Sequence, residues 1–359
     1  MSDYDTIIIG GGPAGATTAN LLAKAGQRVL VVEKEKFPRF RIGESLLPHN
    51  QPLFDELGVT EALKPFNYPV KKAAHFTLAS GEKSIRVVFG DGHFNRQATA
   101  MQVERSTFDE VMLKRAEELG ADVRHGVAVN AFRDDYDGVS VTIGNETLTA
   151  DYLVDASGQA NVTGNLSKLR EFHPGLKKLS VFSHYEGVKL LEGDVFGDII
   201  LARGSSRWFW IIPVGPTKTS VGVVCDRKEF AERSLEPSEY LQQALEVSPA
   251  MRERLVDARQ VMPPKTITDY SYLNRELTGK RLLRVGDAAG FLDPIFSSGV
   301  FIAMTSGKRA AEAILRAKSD RSALAQYEKK LRGTLEFYRD FVELFYTRSF
   351  MEVLLNPRR

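Results

Sequence analysis

The chain has a single cysteine, Cys225, among 359 residues. That excludes a disulfide framework and any cysteine-built zinc or iron–sulfur centre. The six histidines show no metal-ligand spacing, so no metal is expected. Neither sign of charge is in excess. Lysine plus arginine number 48 and aspartate plus glutamate 46, a net +2, without the basic stripe of a nucleic-acid binder. Long hydrophobic runs are missing as well. Stretches such as Thr6–Ile9 and Val29–Val32 fall far below the roughly 18 residues of a membrane span. The opening Met1-Ser2-Asp3-Tyr4-Asp5 is acidic and has neither the basic nor the apolar region of a secretory signal. The expectation is a cytoplasmic α/β protein, long enough for about two domains at roughly 150 residues each.

What is present is a particular placement of glycines. Asp5–Ile9 is a β-branched run, Gly10-Gly11-Gly12-Pro13-Ala14-Gly15 follows, and a helical pattern leads to Gly26. Arg28–Val32 then reads as a strand buried on both faces of a parallel sheet. Gly10, Gly12 and Gly15 stand at dinucleotide-fingerprint spacing in a strand–turn–helix context. They suit, in turn, a sharp bend, close backbone approach to a pyrophosphate, and tight helix–strand packing. The helix N-terminus offers free N–H groups to phosphate, and Pro13 sits near its first turn, where a missing N–H costs least. Glu33 closes the second strand where a carboxylate can accept ribose hydroxyls, which favours FAD or NAD over NADP. A second fingerprint for a nicotinamide is absent, and Gly90-Asp91-Gly92 reads only as a turn.

Near the other end, a buried strand Arg281–Val285 runs into Gly286-Asp287-Ala288-Ala289-Gly290. Asp287 there can accept hydrogen bonds from a ribityl chain, and a helix beginning near Ser298 would aim its N-terminal dipole at a reduced flavin. Between these ends lie strands at Lys72–Leu78, Lys83–Phe89, Asp122–His125, Ala128–Phe132, Val139–Ile143 and Tyr152–Val154. A helix at Thr107–Glu118 and a strand-rich stretch 172–226 are also expected. Leu324 to Phe345 carry apolar residues at alternating spacings of three and four, an amphipathic helix. The fold class expected is α/β: a Rossmann-type FAD-binding domain (1–65, 97–170 and 270–320) interleaved with a β-rich substrate domain (66–96 and 171–269), plus a C-terminal helical segment (321–359).

The fingerprint, Glu33, Arg105 within Val103–Asp109, Asp155-Ala156-Ser157-Gly158 and Gly286-Asp287 together resemble the para-hydroxybenzoate-hydroxylase-type FAD fold. Three further stretches resemble the flavin-dependent halogenases. Trp208-Phe209-Trp210-Ile211-Ile212-Pro213 fits that family's W-x-W-x-I-P motif, and Phe291–Gly299 fits its F-x-x-P-x-x-S-x-G motif. Lys71, five residues before Phe76, matches its active-site lysine. The resemblance covers the chain from Asp3 to about Asn356. It departs from tryptophan halogenases in having Phe296 in the stretch where they carry a glutamate, and from most relatives in being shorter, without an extended C-terminal domain. Both departures fit the branch acting on phenols and pyrroles, often tethered to an acyl or peptidyl carrier protein.

The resemblance implies bound FAD, supplied as FADH2 by a separate flavin reductase, with chloride or bromide as the substrate ion. It implies that Pro13, Ala14, Lys34, Arg41, Ile42, Gly43, Glu44, Ser45, Arg105, Pro294, Gly299 and Val300 join Gly10, Gly12, Gly15, Glu33, Gly286 and Asp287 around FAD. Ser298 and Gly299 would bind halide. Hypohalous acid would then cross a short tunnel to an electron-rich ring, engaged by Lys71 as an ammonium or as an N-haloamine. Trp208, Trp210, Ile212, Pro213 and Phe296 would wall the tunnel. A single-component aromatic hydroxylase or an isoprenoid reductase shares the fingerprint and the Gly-Asp, though not the two long motifs plus Lys71. Taken alone, Lys71 and the tryptophans would read as a solvated edge lysine and plain core aromatics. Lys308, Arg309, Arg316, Lys318, Arg321, Lys329, Lys330 and Arg332 cluster in the C-terminal helices, either as a solvated face or as a docking surface for an acidic carrier protein.

Overall fold

The computed structural model describes residues 2–90, 97–268 and 270–356; Asp91 and Gly92 of the expected turn lie outside the described residues. The first two apolar runs form the strands Tyr4–Ile9 and Val29–Glu33, paired in parallel, with the helix Pro13–Lys24 between them. Every residue of Val29–Glu33 is buried, as a continuous apolar run demands. The sheet order is Asp122–His125, Val29–Glu33, Tyr4–Ile9, Glu146–Asp155, Gly138–Ile143, Val129–Asp135, and Leu282–Arg284 lies parallel to the end of Glu146–Asp155. The short strand expected at Tyr152–Val154 is the end of this ten-residue strand. Its first half pairs antiparallel with Gly138–Ile143 and its second half parallel with Tyr4–Ile9.

Helix Pro13–Lys24 is buried on nearly every side over its first two turns. It lies between the sheet, the helix Arg105–Glu118 and the helix Gly299–Ala317. Two glycines allow this. A Cβ on Gly15 would stand 1.9 Å from the carbonyl oxygen of Gly10, and one on Gly307 would stand 2.5 Å from that of Ala14. Thr18 Oγ1 donates within this contact to Ala14 O at 2.9 Å and lies 3.1 Å from Gly307 O.

The second sheet has the order Arg259–Gln260, Lys178–Glu186, Thr219–Asp226, Trp208–Pro213, Ile199–Arg203, Ala73–Leu78, Ser84–Val88, with Lys265–Thr268 also on Lys178–Glu186. Ala73–Leu78 and Ile199–Arg203 pair in parallel although well over 100 residues apart in sequence. Side chains alternate across Trp208–Pro213. Phe209 and Ile211 pack against Tyr240, Leu241 and Leu245, whereas Trp208, Trp210 and Ile212 face Phe76, Phe182 and Leu201.

The strand expected over Lys72–Leu78 is interrupted at Lys72, giving Val70–Lys71 and Ala73–Leu78. The buried Asp198 carboxylate takes the N–H groups of both Lys72 and Ala73, each at 2.7 Å, so Lys72 leaves the ladder. The amphipathic tail is the helix Ala323–Phe345, with Tyr327, Leu331, Leu335, Val342 and Phe345 buried, followed by Arg348–Leu355. Among the described residues, no helix is long and apolar enough to cross a membrane.

Gly307→Val forces two packed helices apart. We expect a loss of about 2–3 kcal/mol in thermal or urea unfolding, where an exposed glycine such as Gly333 should tolerate alanine without loss.

Candidate active site

A cavity of about 690 Å³ is lined by both sheets and by the N-terminal ends of the helices Pro13–Lys24 and Gly299–Ala317. Gly10 adopts φ +99°, and a Cβ there would meet Ala156 O at 2.5 Å, so the first fingerprint glycine is required twice over. Gly12 precedes the helix with no side-chain cap and no acid in the first turn. The helix end therefore faces the cavity with its donors and partial positive charge uncompensated. Glu33 is held by the N–H groups of Gly11 (2.8 Å) and Glu35 (2.9 Å). Each carboxylate oxygen keeps a lone pair for a further donor.

Arg39 and Arg105 share one buried anion. Arg39 Nη1 lies 2.6 Å from Asp109 Oδ2, and Arg105 grips both Asp109 oxygens at 2.7 and 2.9 Å while donating to Ile42 O at 2.8 Å. Burial pushes the Asp109 carboxyl up, but the two guanidiniums outweigh it and hold it below its ordinary value. Arg39 Nη2 lies 3.6 Å from where a Gly12 Cβ would be, beside the open helix end. Across the cavity, burial raises the Asp287 carboxyl to about 6, with Arg105 opposing. A hydroxyl-bearing ligand would relieve that cost.

The apolar wall is real and braced. Trp208 and Trp210 stand 5.8 Å apart, and Trp210 lies 5.9 Å from Phe182. Gly222, opposite Trp210 on the neighbouring strand, gives the indole its space: a Cβ would meet the ring at 2.3 Å. Trp210 Nε1 donates to Ser220 Oγ (3.1 Å). Trp208 Nε1 donates to Tyr346 Oη (3.0 Å), which donates to Asp293 Oδ2 (2.8 Å). The C-terminal helix thus ties the tryptophan strand to the Phe291–Gly299 turn.

Lys71 is 2% exposed. Its Nζ donates to Ser45 Oγ (2.9 Å) and Leu46 O (3.1 Å) and lies 5.2 Å from the centre of the Phe89 ring. Ser45 lines the cavity and Lys71 stands directly behind it. Burial pulls the Lys71 ammonium down to about 7, with Asp198 opposing.

Most of the residues singled out in the sequence converge here. Gly10, Gly12, Pro13, Ala14, Glu33, Lys34, Arg41 to Ser45, Arg105, Asp287, Pro294, Gly299, Val300, Trp208, Trp210 and Ile212 all line the cavity. Gly15 and Gly286 lie behind it as packing glycines. Four side chains sit elsewhere than expected. Lys71 is one residue removed from the lining. Pro213 ends its strand beyond it. Ser298 is absent from the lining, and its neighbour Ser297, held in a left-handed conformation at φ 54°, is present in it. Phe296 is absent from the cavity lining: the turn Pro294–Phe296 sets it against Phe341 and Phe345, each at 6.1 Å, beneath the C-terminal helix. Asp155 is likewise a structural anchor, accepting from Ser157 N and Thr163 N. Sequence reasoning missed Arg39, Phe182, Ile199, Leu201, Tyr270 and the pairing role of Asp109. The only local signal was a second arginine two residues before Arg41.

A family model described as an FAD binding domain matches residues 3–335. The 1H-pyrrole-2-carbonyl-[peptidyl-carrier protein] chlorinase of Pseudomonas fluorescens is 33% identical over 99% of this chain and 87% of its own length. Tryptophan 2-halogenase of Chondromyces crocatus is 34% identical over 94% of this chain, which spans 64% of that protein. The solved structure of the myxobacterial chondrochloren halogenase CndH superposes with a TM-score of 0.87 at 30% identity, covering 96% of this chain and 82% of that one. The chain belongs to the flavin-dependent halogenases. FAD is the cofactor of this halogenase. The uncapped helix end, Glu33, and the desolvated Asp287 carboxyl fit its pyrophosphate, ribose and ribityl chain respectively.

Both tryptophans of the chain stand in the cavity wall. FAD added to the apo-halogenase should therefore quench most of the intrinsic tryptophan fluorescence, and a titration leaving it unchanged would place the flavin elsewhere.

Lys71 makes a second prediction. Below about pH 7 both folded and unfolded chains hold its proton, and the folded state bears the full burial cost. Between about 7 and the ordinary 10.5 only the unfolded chain binds that proton, so stability rises with pH, by up to roughly 1.4 kcal/mol per unit. Lys71→Met should thus exceed wild type in urea unfolding at pH 6, with the gap closing toward pH 10.

Proposed function

We propose that this halogenase uses reduced FAD, O2 and chloride or bromide to halogenate an electron-rich ring, a pyrrole carried as a thioester on a carrier protein. The observation that carries the reading is a buried lysine one serine away from a cavity that the tryptophans also line. O2 is the oxidant, and reduced FAD, when bound, would activate it toward halide. The protein supplies the rest. The donors at the N-terminus of Gly299–Ala317, which has no side-chain cap, attract a halide. The dry face of Trp208, Trp210 and Ile212 excludes water from a reactive oxidant. Lys71 holds hypohalous acid next to the ring, as an ammonium donor or as the amine that accepts halogen. Its depressed proton affinity makes both forms accessible near neutral pH.

The carrier-bound pyrrole is favoured by the chlorinase relative, which this chain matches over nearly its whole length. A separate reductase supplies the reduced flavin, since the sequence holds one dinucleotide fingerprint. Within the basic C-terminal cluster, Lys308 pairs with Glu56 (2.6 Å), Arg309 donates to Thr334 (3.1 Å) and Arg332 pairs with Glu328 (2.8 Å). Arg316, Lys318, Arg321, Lys329 and Lys330 are then the better candidates for contact with an acidic carrier.

The test supplies a flavin reductase with NADH, FAD, O2, halide and pyrrolyl-carrier, and follows the protein mass. A gain of one or two halogens is expected in wild type. Lys71→Ala should cut halogenation by at least roughly 100-fold while flavin reoxidation continues. Normal halogenation by Lys71→Ala would remove Lys71 from the mechanism.

A further inference from the structure

The run from Val70 to Leu78 serves two sheets, and it passes from one to the other at a single buried anion. Ala73–Leu78 belongs to the large second sheet, whereas Val70–Lys71 pairs with Ala100–Met101. The next residue, Gln102, is bridged antiparallel to Ser45, the residue that Lys71 Nζ reaches. The changeover is held from the corner Gly197-Asp198. A Cβ on Gly197 would stand 2.1 Å from Val70 O, and the Gly197 carbonyl accepts from the buried Gln102 Nε2 at 2.9 Å. The Asp198 carboxylate is fully buried, and both its oxygens are engaged. Oδ1 accepts the N–H groups of Lys72 and Ala73; Oδ2 accepts from Arg86 Nε at 3.0 Å and lies 3.1 Å from His75 Nε2. Two amides would be satisfied as well by an asparagine oxygen. What asparagine lacks is the charge, and burying a carboxylate is costly in desolvation. Among the described residues, Asp198 is the charge that opposes the burial of the Lys71 ammonium.

We propose that Asp198 is the positioning residue of Lys71: its carboxylate holds the chain where Lys71 turns to Ser45, and its negative charge stabilises the ammonium there. The inference rests on the proposed role of Lys71 in halogenation, but its first test needs no turnover. The other charges at this corner are Arg86 and His75 on Asp198, Arg254 acting on His75, and Asp194, which pairs with Lys72 Nζ at 3.1 Å.

A double-mutant cycle in urea unfolding, built from wild type, Lys71→Met, Asp198→Asn and the double variant, isolates the coupling of the two residues. His75, Arg86, Arg254 and Asp194 are common to all four proteins. At pH 6, where Lys71 is charged, Asp198→Asn should raise the unfolding constant about 5-fold more in wild type than in the Lys71→Met background. At pH 10, where buried Lys71 is neutral, the difference should vanish. Arg86→Gln, which unshields Asp198 and leaves its hold on the two amides, should couple to Lys71 at pH 6 with the opposite sign, and it serves if Asp198→Asn does not fold. No coupling, or the same coupling at both pH values, would overturn the assignment. In turnover, Asp198→Asn should move the Lys71-dependent pH profile of halogenation down by about one unit, with affinity for FAD unchanged, since Asp198 is not in the cavity lining. An effect confined to FAD affinity also overturns the assignment. A profile that stays put while the cycle holds would count against Lys71 in the reaction and not against the hold of Asp198 on it.

Discussion

The structure depends on how closely the helix Pro13–Lys24 can be approached. Its first turns touch the turn after the first strand on one side and the helix Gly299–Ala317 on the other, with no room for a side chain at Gly15 or Gly307. These two contacts bring two helix N-termini, some 290 residues apart in sequence, to one cavity. Each is uncapped. Their combined field favours anions at two points, the pyrophosphate of a dinucleotide and a halide beside its ring. A wider helix–helix spacing would still leave a Rossmann-type fold, but the two sites would no longer share a volume.

A second dependency runs through the C-terminal helix. Tyr346 accepts from Trp208 and donates to Asp293, so one hydroxyl joins the wall to the flavin-side turn. Burial raises the Asp293 carboxyl to about 6, against the hydrogen bonds it receives from Tyr346 and Ile295 N. Lys178 lies 4.1 Å over the Tyr346 ring. Phe296 serves the same junction, packing into the aromatic cluster of Phe341, Phe345 and Phe350.

Features that act through adjacent residues could be read directly from the sequence. The fingerprint glycines, the buried second strand, the alternation of Trp208, Phe209 and Trp210, and the amphipathic tail all have local causes and appear in the structure. Features that arise from pairing across the chain could not. The break at Lys72 comes from Asp198, more than 120 residues away. The joint hold of Asp109 on Arg39 and Arg105 needs a loop folded over a helix. That Ser298 and Phe296 lie outside the cavity lining has a related cause. The motif spacing marks the turn, but the left-handed Ser297 decides which side chains enter the cavity.

The parallel pairing of Ala73–Leu78 with Ile199–Arg203 has a consequence for how the molecule is made. The strand next to Lys71 cannot complete its sheet until more than 120 further residues have left the ribosome, and the nucleotide sheet still lacks Leu282–Arg284 at that point. Closing such long loops is entropically costly and gives slow, late-committing folding. Neither layer exists as a contiguous segment, so neither can be cut out and expressed alone. The cavity, whose lining runs from Ile9 to Ala303, therefore cannot close before most of the chain has been made.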